Sequence, residues 1–398
     1  MGLLILMFIT EAFAPFALAR YLTKVRGKKF YAILLLHFIL SLWLWVLFFK
    51  TRNFGTFYDS PQHIWMQMQL MGMIVAVVLP RAIFIIFHFA GRLIRIGKSD
   101  YSNGMSVAGM IIGSAIFSVT VLGTFIGRFN FKTESLTINI DGLDKDLDGL
   151  RIVQISDLHL SGFLHHIKRL QYVIEEINSL KPDILVNTGD FITYGWREFG
   201  RNDTILSKSK AKYGSFAIRG NHDSGGYNPD FTIADKDNNV LIINNMIRAS
   251  GYTLLNDEFK KVRIGSSVIA IIGITTSGRH PNIIHGNISE AMMGLDSVDL
   301  KILLSHDPNY WDESVKNKTD IDLTLSGHTH GMQMGIMTKK FRWSPSKYFY
   351  PHWSGLYSDK EQLHYVNRGL GVLAVPFRIW MPPEITLITL KAGSKQTF

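Results

Sequence analysis

The sequence predicts an N-terminal all-α transmembrane bundle followed by an α/β domain, and three observations carry that prediction. The first 128 of the 398 residues hold long apolar runs separated by short basic loops. From about residue 134 the chain instead alternates β-branched runs with helical stretches, the pattern of a layered α/β domain. Five short blocks rich in Asp, His and Asn punctuate that second part, where predicted strands give way to loops. The expected division is a membrane domain over 1–128 and an α/β domain over 134–398.

Four apolar stretches, 3–19, 30–49, 64–79 and 107–127, approach the length of about 20 helical residues that a bilayer requires. Glu11 and Pro15 interrupt the first, for which a cleaved signal peptide is the alternative. A signal peptide carries its positive charge before the apolar run, whereas here the charge follows it. Pro80-Arg81 closes the third, and residues 82–95 read as an amphipathic surface piece or as an extension of that helix.

The net charge of +10 is concentrated in this region. Residues 1–128 hold 12 Lys/Arg against 3 Asp/Glu, and the remainder holds 30 against 29. Basic residues cluster after the first stretch (Arg20, Lys24, Arg26, Lys28, Lys29) and after the third (Arg92, Arg95, Lys98). By the positive-inside rule those loops are cytoplasmic, which puts the second domain on the extracytoplasmic side, as in a protein of the bacterial cytoplasmic membrane. No nucleic-acid partner is expected, because the near-neutral second part lacks the basic face that a phosphate backbone needs. The chain has no cysteine, which excludes disulfides, zinc–thiolate sites and a thiol nucleophile.

Predicted strands over 151–155, 184–187, 215–219, 301–304 and 322–325 run into the five blocks. These are Asp157-Leu158-His159, Gly189-Asp190, Gly220-Asn221-His222-Asp223, Ser305-His306 and Gly327-His328-Thr329-His330. Helices are expected over 165–180 and 234–250, and later strands over 268–272, 363–366 and 384–390. Ligands of open α/β sheets gather at the carboxyl ends of strands, where these blocks fall. Imidazoles combined with carboxylates suit a paired site for Mn, Fe or Zn better than one for Ca. A metal-dependent hydrolase is the reading these residues favour.

From about residue 150 to 390 the blocks resemble the calcineurin-like metallophosphoesterase superfamily, whose pattern is Asp-x-His, Gly-Asp, Gly-Asn-His-Asp/Glu, His and Gly-His-x-His. Asn367-Arg368-Gly369 and the segment 378–385 resemble its bacterial branch, often membrane-attached or exported. The resemblance implies a four-layer β-sandwich flanked by helices, with two divalent metal ions at one edge. One ion would take Asp157, His159, Asp190 and His330; the other would take Asp190, Asn221, His306 and His328, with Asp190 bridging. It also implies cleavage of a phosphodiester or pyrophosphate by a metal-bridging hydroxide, with His222 as general acid. A lipid-linked phosphoester would suit a catalytic domain tethered to a bilayer. The alternative role for His222 is a hydrogen bond to a metal ligand, and Asp223 either supports that histidine or caps a turn. Arg219, Arg368 and Arg378 are candidates for binding phosphate, with structural ion pairing the alternative for each.

Two departures from the family pattern stand out. Phe191-Ile192-Thr193 follows Asp190 where many relatives carry a second Asp, so support for the histidine has to come from elsewhere. Gly331-Met332-Gln333 stands where relatives commonly read Gly-Gly-Gln. The resemblance admits a narrower activity, hydrolysis of a UDP-2,3-diacylglucosamine-type pyrophosphate, against which the extracytoplasmic orientation counts. A catalytically silent metal-binding sensor domain is the reading from another class. No pattern in the chain speaks to oligomeric state.

Overall fold

The computed structural model describes residues 2–21, 28–52, 55, 57–94, 104–279, 281–338 and 341–393. Lys24, Arg26, Arg95 and Lys98, used above to orient the loops, lie outside the described residues. The chain forms two compact units. One comprises Met1–Gly55, Met66–Ile126 and Ala374–Ile379; the other comprises Thr56–Trp65, Gly127–Leu373 and Trp380–Phe398.

The first unit is helical, with α1 (Gly2–Tyr21), α2 (Lys28–Arg52), α3 (Pro61–Met73), α4 (Leu79–Leu93) and α5 (Gly104–Phe125). Among the described residues three helices are long and apolar enough to cross a membrane, over Phe30–Arg52, Pro61–Leu93 and Gly104–Phe129. The other expected stretch, 3–19, lies in α1, within which the described apolar run is Leu4–Pro15. Residues 82–93 extend the preceding helix, since α3 and α4 are joined by a single π-helical turn, Ile74–Val78. Pro80 supplies the reason. It has no N–H and its ring presses on the carbonyl one turn back, and a widened turn relieves that clash. Helices α4 and α5 pack closely, and a Cβ on Gly109 would lie 2.7 Å from that of Phe87. Arg81 pairs with Glu11 and donates to Ser41 Oγ (3.1 Å), so the charge in α1 is matched inside the unit.

The second unit holds the strands. The first nine are β1 (Lys132–Ile140), β2 (Arg151–Ile155), β3 (Ile184–Asn187), β4 (Ser215–Ala217), β5 (Thr253–Leu254), β6 (Glu258–Ile264), β7 (Ser267–Ile274), β8 (Thr276–Arg279) and β9 (Asn282–His285). The others are β10 (Leu300–Ser305), β11 (Leu323–Ser326), β12 (Ile336–Met337), β13 (Arg342–Trp343), β14 (Gly355–Asp359), β15 (Gln362–Val366) and β16 (Glu384–Ala392). Two six-stranded sheets result, ordered β1-β16-β2-β3-β4-β5 and β14-β15-β11-β10-β7-β6. Alternation along each strand decides which side chains meet. In the first sheet Ile152, Ile184 and Val186 enter the core shared with Ile269, Ile302 and Leu325 of the second. Their neighbours Val153, Ile155 and Leu185 turn to the other face, where α6 (Ile167–Ser179) and α8 (Ile233–Ala249) cover them. Between those helices lies the short α7 (Asp203–Leu206), and α9 (Ile288–Ala291) with Trp311 covers the outer face of the second sheet. Each such buried aliphatic side chain contributes about 1.5–3 kcal/mol relative to exposure. The layers run helix, sheet, sheet, helix, as the family resemblance implied.

Candidate metal centre

The five blocks occupy the carboxyl ends of β2, β3, β4, β10 and β11. Parallel pairing aligns β2, β3 and β4 in one sheet and β10 with β11 in the other, so these ends converge. Asp157, His159, Asp190, His328 and His330 all have positive φ, between 40° and 74°. Such backbone costs on the order of 1–3 kcal/mol per residue and survives only where its surroundings determine it. Here loop-to-loop bonds do so, with Asp157 N donating to Gly189 O (2.8 Å) and His159 N to Asp190 O (3.1 Å). Gly327 leaves room for the same packing, since a Cβ there would strike Ser156 Oγ and the Asp157 carboxylate.

Two clusters of donor atoms form, Asp157–His159–His330 and Asp190–His306–His328. In the first, His330 Nε2 lies 3.3 Å from Asp157 Oδ1 and 3.1 Å from His159 Nε2. In the second, His306 Nε2 lies 3.1 Å from Asp190 Oδ2 and 3.2 Å from His328 Nδ1. Asn221 Oδ1 joins this second cluster at 3.1 Å from His328 Nδ1. Asp190 Oδ2 is also 3.7 Å from His159 Nε2, so one carboxylate faces both clusters. Ligands bonded at about 2.1 Å to a tetrahedral or octahedral cation lie about 3.0–3.4 Å apart; the 3.1–3.3 Å spacings within each cluster fit that range, and the 3.7 Å contact between Asp190 and His159 is longer. The two donor sets therefore each fit a cation, with the Asp190 carboxylate facing both.

Hydrogen bonds behind the imidazoles fix which nitrogen faces inward, as is usual for metal-ligating histidine. His306 Nδ1 donates to Thr188 O (2.7 Å), which leaves Nε2 for a cation. His159 Nδ1 bonds Thr193 Oγ1 (3.1 Å), and His328 Nε2 bonds the Tyr350 hydroxyl (2.9 Å). Burial alone would raise the Asp190 carboxyl, but the imidazoles of His306 and His222 outweigh it and hold it below the usual carboxylate range. Burial would likewise raise Asp157, and His330 reverses the sign. Burial pushes His328 down to about 4. Ionised carboxylates and a neutral His328 are ligating states, whereas Asp190 overcomes burial and pushes His306 up to about 10, a proton that a bound cation would displace.

His222 sits beside this centre, with its ring centroid 5.1 Å from that of His159. Its Nδ1 donates to the main-chain carbonyl of Thr193 (2.8 Å), so a carbonyl takes the supporting role that the missing second Asp has in relatives. Burial lowers its pKa below 6.5 against the pull of Asp190. Asp223 touches a different set of groups. Its carboxylate accepts from the amides of Asp190 (2.9 Å), Phe191 (2.9 Å), Ile192 (3.1 Å) and Gly220 (2.9 Å), tying two of the ligand loops together.

Four supporting residues were not among the sequence candidates: Thr193, Glu198, Tyr227 and Tyr350. Thr193 anchors both His159 and His222. Glu198 accepts from Thr193 N (2.9 Å), Gly195 N (3.1 Å), Tyr194 N and Ser161 Oγ (2.9 Å), and so holds the loop that carries Thr193. Tyr227 stacks on His222 at 4.0 Å and accepts from Asn221 Nδ2 (3.0 Å).

The three arginine candidates have different local partners. Arg219 donates to Asn256 Oδ1 (3.2 Å). Arg368 is buried between Glu134 (2.7 Å) and Glu384 (2.8 Å), which match its charge. Arg378 belongs to the helical unit, where its amide bonds Gly123 O (3.2 Å).

Residues 150–332 match the family model described as calcineurin-like phosphoesterase. An uncharacterised metallophosphoesterase of Bacillus subtilis, YkuE, is 34% identical over 270 residues, covering 66% of this chain and 86% of that protein. The chain belongs to the calcineurin-like phosphoesterase family. A transmembrane protein with metallophosphoesterase domain from Danio rerio is 30% identical over 329 residues, covering 78% of this chain and 70% of that protein. That stretch is longer than the α/β unit, so the likeness reaches into the helical region. The metallophosphoesterase is thus a metal-dependent hydrolase of phosphoric esters, from a family that uses two metals, and it carries membrane helices.

Proposed function

We propose that the protein is a membrane-anchored phosphohydrolase that cleaves a phosphodiester or pyrophosphate, with a lipid-linked substrate favoured by the tether. The observation that carries this reading is the pair of donor clusters facing a single carboxylate, Asp190, with His222 at their side. Asp157, His159, Asp190 and His330 would hold one ion, and Asp190, Asn221, His306 and His328 the other. Mn, Fe and Zn all suit these donors. When bound, two such ions supply Lewis acidity at the phosphoryl oxygens and lower the pKa of water between them.

The chain's own residues do the rest. The Thr193 carbonyl holds His222 Nδ1 as a donor and directs Nε2 to the substrate. From Nε2 a proton passes to the leaving oxygen as its bond to phosphorus breaks. Tyr227 keeps the imidazole plane in place, and Asp223 fixes the spacing between the Asp190 and Asn221 loops. Replacing His222→Ala in the metal-loaded full chain is expected to lower turnover of an aryl phosphodiester by about 10²–10⁴-fold with metal content retained. Unchanged turnover would remove the proton-donor role. A protein that binds metals but turns over nothing across a panel of lipid-linked and soluble diesters would be the silent sensor instead.

A further inference from the structure

We propose that the cleft beside His222 is a subsite for a second anionic group, carried on the leaving-group side of the substrate. The inference rests on the phosphohydrolase reading and narrows it to substrates such as diphosphates, whose leaving group is itself charged. The cleft has a volume of about 700 Å³ and is lined by Ser224, Tyr227, Lys236, Ser277, Arg279 and Asn282, among other residues. It adjoins the metal centre through one shared wall. Tyr227 stacks its ring on His222 at 4.0 Å with the planes 12° apart, and its hydroxyl accepts from Asn221 Nδ2. The Arg279 guanidinium lies 5.2 Å from the centroid of the same ring. Ser224 begins the cleft two residues after His222.

The charge of the cleft has one sign. Lys236 and Arg279 are its charged lining residues, no carboxylate lines it, and neither cation has an ion-pair partner among the described residues. The Ser277 hydroxyl and the Asn282 amide add neutral donors, whereas Ser224 Oγ donates to Asn221 O (2.6 Å). The β8–β9 hairpin carries Ser277, Arg279 and Asn282, and α8 carries Lys236. Two separate elements therefore bring the cations together beside the proton donor. Clefts lined by one sign of charge concentrate counter-charged ligands, and a guanidinium suits a phosphate because it donates two parallel hydrogen bonds.

The position relative to His222 selects which part of the substrate enters. In hydrolysis a water oxygen bonds to phosphorus, and the bond from phosphorus to the leaving oxygen breaks with its electron pair going to that oxygen. The leaving oxygen takes its proton from His222 Nε2, so the leaving group lies on the His222 side of the phosphoryl group, and Tyr227, stacked on His222, is a wall of this cleft. A neutral alcohol there would meet two cations without compensation, whereas a second phosphate would neutralise both.

The test is binding of methylenediphosphonate and of orthophosphate to the manganese-loaded full chain by calorimetry, with bis(p-nitrophenyl) phosphate turnover read on the same preparation. Orthophosphate reports on the metal centre alone, and methylenediphosphonate reports on the centre together with the cleft. In the double variant Lys236→Gln/Arg279→Gln the preference for methylenediphosphonate over orthophosphate should fall at least tenfold, with an unchanged melting temperature showing that the fold is kept. Replacing Lys260→Gln, an exposed lysine on β6, should shift that preference less than twofold. An unchanged preference in the double variant, or an equal fall in the Lys260 variant, overturns the subsite. Loss of the diester turnover in the parent chain would overturn the hydrolase reading instead, and the binding ratio still decides the subsite.

Discussion

At the scale of single residues, the ligands were legible in the sequence and their supports were not. Asp157, His159, Asp190, Asn221, His306, His328 and His330 stand out because metal chemistry demands particular side chains. Thr193 is invisible by the same logic, since it holds His222 through a main-chain carbonyl that any residue has. Glu198 acts on amides and Ser161, and Tyr350 reaches His328 from a loop 22 positions away. Glu198 offers a test of this support. Burial pushes its carboxyl up to about 7 against the pull of the Tyr194, Gly195 and Thr193 amides and Ser161. In the unfolded chain the group titrates near 4.5, so between about pH 4.5 and 7 the folded state holds the extra proton. Stability from this group is therefore present below that window and is lost as pH rises through it. Melting temperatures of the parent and of Glu198→Gln, which has no carboxyl to ionise, are expected to shift in the variant's favour from pH about 5 to about 8. A constant difference across that range would remove the buried titration.

Among elements, strands were legible wherever they are buried and β-branched. Those before the five blocks fall within two residues of their predicted ends, the largest error being a strand expected to reach Arg219 that stops at Ala217. Strands β8 (Thr276–Arg279) and β9 (Asn282–His285) carry no such signal, because they are largely not buried and lack the apolar run that marks β3. The α2–α3 loop was unreadable for another reason, because its role depends on residues more than a hundred positions away. Thr56–Trp65 belongs to the α/β unit, where the fully buried Asp59 accepts from Arg197 Nη1 (3.0 Å) and Arg197 packs on the Phe57 ring (3.6 Å). Arg197 lies within the same turn as Glu198 and close to Thr193. Water reaches part of Arg197, which reduces the value of the pair, so Asp59→Ala is expected to cost about 1–2 kcal/mol. That corresponds to a fall of a few degrees in melting temperature. Turnover should also drop several-fold with metal content retained, through the loop that holds His222. A variant matching the parent in both would detach this segment from the catalytic loop.

For the molecule as a whole, the two-part organisation was plain from charge and periodicity, while the continuity of the helix through Pro80 was not. Pro80 left open either a surface piece or an extension of the helix, and a π-turn keeps one helix over Pro61–Leu93. Three spans leave the proposed sidedness intact. In that proposal the basic residues flanking α2 at its start and α4 at its end face the cytoplasm. The α2–α3 loop and the chain after α5 then share the opposite side, which agrees with Thr56–Trp65 belonging to the α/β unit. A periplasm-active reporter fused at the C-terminus should therefore be active and a cytoplasm-active one silent; the reverse result would place catalysis in the cytoplasm and favour a nucleotide-linked pyrophosphate. The account as a whole turns on Asp190, the carboxylate that both donor clusters face. Its most direct test is metal content per chain and aryl phosphodiester turnover, measured together in the purified full chain and in Asp190→Asn. The account predicts two ions per chain with turnover that a chelator abolishes and metal restores, and loss of both bound metal and turnover in the variant. Two tightly bound ions with no turnover under manganese, iron or zinc, or a variant as active as its parent, would contradict it.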